Sequence, residues 1–148
     1  MIMNQFKNIG IVLALLVMVI FLAAFKPSEK EILRIKITNV KVNNGDVIVE
    51  IYDNKSNWLK TPFRKISLAS TQNVVNASFE IPFGKYAVTI YQDQNKNGET
   101  DMNFLGIPKE LVGFGNNYKP FGEPKFKSAL IEFGKTSAAH EIKLYKVL

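Results

Sequence analysis

Oxygen-bearing side chains recur at alternate positions of one short segment, on both sides of Gly98. Alternating oxygens around a turn-forming glycine are how a loop wraps a hard cation such as Ca²⁺. The predicted ligands are Asp93, Asn95, Asn97, Glu99 through its carbonyl, and Asp101. Where a complete helix-loop-helix site closes with a bidentate Glu, this chain has Phe104, so the match is to a partial loop. The spacing predicts a candidate Ca²⁺ site and indicates no reaction.

Two other interpretations of the segment stay open. In the simpler one, Asn97 and Gly98 make a tight turn in which Asp93 and Asn95 hydrogen-bond their own backbone. In the other, Asp93, Asp101 and Glu110 act as paired carboxylates of a carbohydrate-active or other hydrolase domain. The sequence gives no support for a Ser-His-Asp hydrolase, because no serine lies in a Gly-x-Ser-x-Gly turn. We therefore expect a non-catalytic binding or structural module.

The N-terminus has the pattern of a signal peptide. Lys7 precedes an apolar run over residues 9–25, which passes through Ala23 and Ala24 before the chain turns polar. We expect residues 1–24 to be removed, although the run is also close to the minimum length of an uncleaved membrane anchor. Either outcome predicts export to the periplasm or the extracellular space, with membrane contact only through this segment if it is retained.

Composition limits the remaining possibilities. The chain has no cysteine, which excludes disulfides, thiolate metal sites and lipoprotein acylation. The formal net charge of +6 is spread over scattered lysines, and no basic run with interleaved aromatics predicts a nucleic-acid surface. Residues 31–148 are enough for one domain with a single core.

Beyond the N-terminal segment the apolar residues alternate with a period of two. Leu33 to Ile37 and Val47 to Ile51 are predicted strands, paired as a hairpin through the turn at Asn43 to Asp46. Further strands are predicted near residues 66–69, 79–81, 86–91, 130–133 and 142–147. The pattern predicts an all-β fold, most simply a sandwich of about seven strands. Residues 92–127 show no strand period, but their apolar content predicts a long ordered loop packed on the domain.

Several motifs of this chain occur together in one bacterial family. The run from Tyr91 to Asp101 is followed by Gly106 to Glu110, Gly113 to Asn117 and Gly122 to Phe126, and it is preceded by Pro82 to Val88. These motifs resemble the domain of unknown function 2141. The resemblance implies an exported envelope protein of unknown activity, with an immunoglobulin-like or transthyretin-like sandwich. We expect its partner to be an unidentified envelope protein or a glycan. This chain departs from the family pattern at Gln92, where the family has His, and at Leu111-Val112, where it has Gly-Tyr.

Overall fold

The computed structural model of the protein describes residues 30–136 and 139–147, and the predicted signal peptide lies outside these ranges. The described chain is all-β, as predicted, with eight strands and three short 3-10 turns. The strands are β1 (Lys30–Thr38), β2 (Asp46–Tyr52), β3 (Arg64–Ala69), β4 (Val74–Pro82), β5 (Gly84–Asp93), β6 (Val112–Phe114), β7 (Leu130–Phe133) and β8 (His140–Lys143). The 3-10 turns span Lys55–Asn57, Gly115–Asn117 and Phe126–Ala129. Among the described residues no helix is long and apolar enough to cross a membrane.

The strands form two sheets. The smaller sheet has the order β4-β1-β8, in which β8 runs parallel to β1 and the other pair is antiparallel. The larger sheet has the order β3-β2-β5-β6, and β7 also pairs with β5. Strand β5 is therefore central, since it pairs with β2 along one edge and with β6 and β7 along the other.

The hairpin predicted between the first two strands is wrong. β1 and β2 belong to different sheets, so the connection between them crosses from one sheet to the other. Leu33, Ile35 and Ile37 of β1 are buried, as are the alternate residues of β2 that begin with Val47. Two strands with the same buried alternation can face each other across a core instead of pairing side by side, because the period fixes the buried face and not the neighbour.

The larger sheet is covered on both faces. Between the two sheets lies the main core, which takes buried apolar side chains from both, including Ile35, Ile51 and Ile90. On the outer face of the larger sheet a second cluster contains Tyr52 and Tyr91. The residues packed around this cluster are Trp58, Tyr118, Phe126, Leu130 and Tyr145. The long segment predicted to pack on the domain thus supplies part of the cover for this face.

Trp58 is a loop aromatic that packs on this second cluster. Its ring makes edge contacts with Tyr52 at 5.0 Å and with Phe126 at 5.7 Å between ring centroids. Its indole nitrogen Nε1 donates a hydrogen bond to the carbonyl oxygen of Pro124 at 2.9 Å. The side chain therefore links the loop after β2 to the long segment after β6.

Candidate metal site

The candidate site begins where β5 ends. Asp93 is the last residue of the strand, and only 2% of it is exposed. Its carboxylate accepts hydrogen bonds from the backbone N–H of Asn97, at 3.2 Å, and of Gly98, at 2.7 Å. Gly98 has φ +81°, a left-handed conformation that glycine adopts without strain. The chain consequently turns back around the Asp93 carboxylate directly after leaving the sheet.

The two asparagines reinforce this turn. Asn95 Oδ1 accepts from the N–H of Asn97 at 3.1 Å, and Asn97 Oδ1 accepts from the N–H of Glu99 at 2.9 Å. The expectation that Asp93 and Asn95 hydrogen-bond their own backbone is confirmed. An amide oxygen has two acceptor positions and a carboxylate about four, so all three side chains retain acceptor capacity after these bonds are made.

Asp101 closes the group from the other side. Its carboxylate accepts from the side-chain amide nitrogens of Asn95, at 2.8 Å, and of Asn97, at 3.1 Å. The structure thus connects the side chains of four predicted ligands through hydrogen bonds around one turn. Within residues 30–136 and 139–147 it forms no group of three or more His, Cys, Asp or Glu side chains placed to hold a metal ion. Any cation here would have two carboxylates and otherwise neutral oxygens.

Glu110 lies behind this turn and supports its backbone. Only 3% of the residue is exposed, and its two carboxylate oxygens accept from the N–H of Gln94 at 2.8 Å and of Asp101 at 3.2 Å. Burial raises the pKa of Glu110, while the same two hydrogen bonds act in the opposite direction. Both oxygens face backbone donors that belong to the two ends of the candidate loop. Glu110 therefore fixes the distance between those ends.

We expect Glu110→Gln to lower the free energy of unfolding at neutral pH by about 1–3 kcal/mol. The variant replaces one of the two acceptor oxygens with an NH₂ group, which leaves one of the two backbone N–H groups without its acceptor. Since the pKa of Glu110 is raised in the folded state, its protonated form favours folding. That contribution is present below the unfolded pKa and is lost as pH rises through the folded value. Urea unfolding at several pH values checks both effects. The exposed Glu123→Gln is the matched control, and equal stability of the two variants would contradict this role.

A polar network on the outer face of the larger sheet holds the middle of the loop. The carbonyl oxygen of Gly98 accepts from Tyr91 Oη at 2.6 Å and from Lys65 Nζ at 2.9 Å. Lys65 also forms an ion pair with Glu50 at 3.1 Å. Burial opposes the charge of Lys65, but its hydrogen bonds to Tyr91 and Glu50 leave the lysine pKa above its usual range. Lys65 is therefore held as a cation against the loop carbonyl.

Sequence reasoning missed this network because its members come from three strands. Glu50 pairs with Lys65 in the β2-β3 register and with Thr89 in the β2-β5 register. Those registers join segments that are far apart in the sequence, so spacing along the chain gives no sign of them. The only local signal was Tyr91, two positions before Asp93 on the same strand.

The connection between the sheets approaches the loop closely. Gln92 is fully buried. Its Oε1 accepts a hydrogen bond from the N–H of Lys41, and its Nε2 donates to the carbonyl oxygens of Lys41 and Asn44. Gly45 has φ +78°, and a Cβ built on it would lie 1.9 Å from the carbonyl oxygen of Asp93. The loop therefore rests on the β1-β2 connection, and Gln92 has a structural role in joining the two.

His140 lies away from the loop, at the first residue of β8. Its Nε2 is 3.1 Å from the carbonyl oxygen of Glu132. The structure does not bring this imidazole to the carboxylates of the candidate site.

Comparison with known proteins identifies the family. No curated protein and no solved structure matches the chain. Residues 35–141 match a family described as an uncharacterized protein conserved in bacteria, DUF2141. This range contains β2 to β7 in full, the end of β1, the start of β8, the candidate loop and Glu110. It confirms the resemblance carried by the motifs after Pro82. The chain belongs to this bacterial family, the domain of unknown function 2141.

Proposed function

We propose that the protein is a non-catalytic, exported envelope module with a binding or structural role, stabilised by Ca²⁺ at the loop of residues 93–101. The observation that supports this proposal most directly is the arrangement of Asp93, Asn95 and Asn97. Each of these side chains accepts at least one backbone N–H of the loop and retains further acceptor capacity on its oxygens. Oxygen donors of this kind suit Ca²⁺ better than they suit softer metals.

The donor set predicts weak binding. Asp93 and Asp101 supply the only carboxylates among the proposed ligands, while Asn95, Asn97 and the carbonyl of Glu99 are neutral. Affinity for Ca²⁺ is lower when fewer of the ligands are charged, and extracellular modules bind in the range of roughly 10⁻⁴ to 10⁻³ M. Such an affinity suits an exported protein, because Ca²⁺ is used at these concentrations outside the cytoplasm.

Terbium luminescence tests the proposed ion site without an assay of function. Tb³⁺ occupies oxygen-rich Ca²⁺ sites and emits when a nearby tyrosine is excited, and the hydroxyl of Tyr91 lies 2.6 Å from the carbonyl oxygen of Gly98. We expect saturable emission that excess Ca²⁺ displaces and that Asp93→Ala removes. Emission that is unchanged in Asp93→Ala would place the ion elsewhere and overturn the assignment.

Export is a separate part of the proposal, supported by the basic residue, apolar run and small residues of the first 24 positions. Mass spectrometry of envelope fractions should find an N-terminus between Phe25 and Ser28. The same chain with intact Met1, recovered only from the cytoplasm, would contradict it.

The proposed partner is an envelope protein or a glycan, and the proposed fold type is an immunoglobulin-like or transthyretin-like sandwich. Two sheets with one core between them support this type, as does the predominance of antiparallel pairing. Neither nucleic acid nor a redox cofactor forms part of the proposal. The lysines are dispersed, and many of them lie on exposed strand positions.

The alternative is a carbohydrate-active or other hydrolase domain that uses Asp93, Asp101 and Glu110. The raised pKa of Glu110 would suit a general acid. Against it, Glu110 and Asp93 are almost fully buried, and their oxygens are engaged with backbone N–H groups. Turnover of a glycan that persists after Ca²⁺ is removed, and that disappears in Glu110→Gln while folding is retained, would favour the hydrolase.

A further inference from the structure

Three apolar side chains project from one turn just beyond the candidate loop. Phe104 is 94% exposed, Leu105 65% and Met102 49%, and we call these three residues the apolar tip. Single exposed apolar residues are ordinary on protein surfaces, but clusters of them mark sites of interaction. The apolar tip therefore requires an explanation that core packing does not supply.

The turn that carries the apolar tip is fixed by its own hydrogen bonds. Asn103 Oδ1 accepts from the N–H of Leu105 at 2.9 Å and of Ile107 at 3.0 Å. The N–H of Asn103 in turn donates to the carbonyl of Ile107 at 2.8 Å, and Gly106 takes up φ +72° in the return. The backbone thus holds Phe104 and Leu105 outward, away from the two cores.

The base of this turn is joined to the buried support of the candidate loop. Lys109 N–H donates to the carbonyl of Asp101 at 2.8 Å, and Met102 and Pro108 form an isolated antiparallel bridge. Asp101 N–H is held by Glu110. The apolar tip is consequently the end of a short hairpin anchored to the sheet, and its outward orientation needs no bound ion.

Shape and charge favour a lipid surface as the occupant. Two hollows of the described surface, next to Lys30 and Phe83, lie at the opposite end of the sheets from the tip. From Met102 to Lys109 the only charged side chain is Lys109. The carboxylates of Asp101 and Glu110 flank this segment, and both accept hydrogen bonds within the candidate loop. The chain from Phe25 onward has a formal net charge of +5, which is 18 basic minus 13 acidic residues. A convex apolar tip on a cationic protein matches the interface of an anionic bilayer.

We propose that the apolar tip inserts into the headgroup region of an anionic lipid bilayer, with Lys109 facing the lipid phosphates, in the chain freed of residues 1–24. The restriction to the freed chain follows from the fold. β1 begins at Lys30, which pairs with Pro82 close to the start of β5, whereas the apolar tip follows the end of β5. At about 3.3 Å per residue, β5 separates the two ends by roughly 30 Å. A retained anchor would therefore hold the tip away from its own membrane.

Vesicle sedimentation tests this proposal on the chain from Phe25, in chelator so that the outcome is independent of the Ca²⁺ site. That chain retains every residue of both cores, which lie between Leu33 and Tyr145. We expect this chain to sediment with vesicles of phosphatidylglycerol and phosphatidylethanolamine. The double variant Phe104→Ser, Leu105→Ser should weaken the partition at least about tenfold. Lys109→Glu should weaken binding to these anionic vesicles and should not change the partition to neutral phosphatidylcholine vesicles.

Phe121→Ser is the matched control, because Phe121 is fully exposed on a different loop. It should change the partition less than about twofold. Circular dichroism and melting curves establish that each variant is folded. A folded wild-type chain that fails to sediment would overturn the proposal, as would equal binding to neutral phosphatidylcholine vesicles. A wild-type dimer in analytical ultracentrifugation that the double variant dissociates would instead assign the tip to a second copy of the chain.

Discussion

Ten millimolar Ca²⁺ should raise the melting temperature of the chain from Phe25 by several degrees. At a dissociation constant of roughly 10⁻⁴ to 10⁻³ M, this concentration is about ten to a hundred times the constant. Binding to the folded state alone then stabilises it by roughly 1.4–2.7 kcal/mol. For a domain of this size such a change moves the melting temperature by several degrees. Differential scanning calorimetry with Ca²⁺ and with chelator measures the shift.

The variants are compared by the change in melting temperature between Ca²⁺ and chelator, and not by their absolute melting temperatures. Asp93→Ala removes the carboxylate of the first loop position and should abolish most of the shift, although it also removes the acceptor for Asn97 and Gly98. Gln94→Ala retains the backbone N–H that Glu110 holds, and it should leave the shift intact. Mg²⁺ at the same concentration controls for ionic strength. An equal shift in Asp93→Ala and wild type would contradict the assignment of the site.

Gly45→Ala should be among the most destabilising single substitutions in the described chain, with a loss of more than about 3 kcal/mol in the free energy of unfolding. Two effects combine at this position. Its φ of +78° strains any residue that has a Cβ, and the added Cβ would lie 1.9 Å from the carbonyl oxygen of Asp93 and 2.6 Å from the Cα of Gln94. Backbone cannot move aside as a flexible side chain can. Relief of the clash must displace the end of β5 and with it the Asp93 carboxylate.

Gly122→Ala separates the two effects. Gly122 has φ +84°, and no atom lies within 4 Å of a Cβ built there, so this variant carries the conformational strain alone. We expect it to cost roughly 1–2 kcal/mol. Guanidinium unfolding of both variants, in chelator, gives the comparison. Similar losses for the two glycines would show that the approach of Gly45 to Asp93 has no energetic weight.

The strand faces were predictable and their pairing was not. Alternation at Leu33, Ile35 and Ile37 places these side chains in a core, as the structure confirms. The same alternation is compatible with pairing in one sheet or with packing across two, and a turn rich in Asn and Gly does not decide between them. β6 escaped prediction for a different reason: three residues, Val112–Phe114, are too few to show a period.

The part of the candidate site formed by residues close together in the sequence was predictable, because spacing along the chain fixes where their side chains lie. Asp93, Asn95 and Asn97 act within five residues of one another, so their spacing alone places their oxygens around one turn. Lys65 reaches the loop through the register of the larger sheet, and Glu110 reaches it where the chain folds back after Asp101. Both arrangements depend on the tertiary fold. The apolar tip illustrates the opposite failure, since an apolar Phe104 in a sequence predicts burial and the structure exposes it.

Calorimetric titration of Ca²⁺ into the chain from Phe25 tests the central proposal most directly. We predict a binding heat that fits one site per chain, with a dissociation constant of roughly 10⁻⁴ to 10⁻³ M, and its loss in Asp93→Ala under the same conditions. Titration of the folded wild-type chain to ten millimolar Ca²⁺ without heat, together with an unchanged melting temperature, would show that residues 93–101 form a hydrogen-bonded turn that binds no ion.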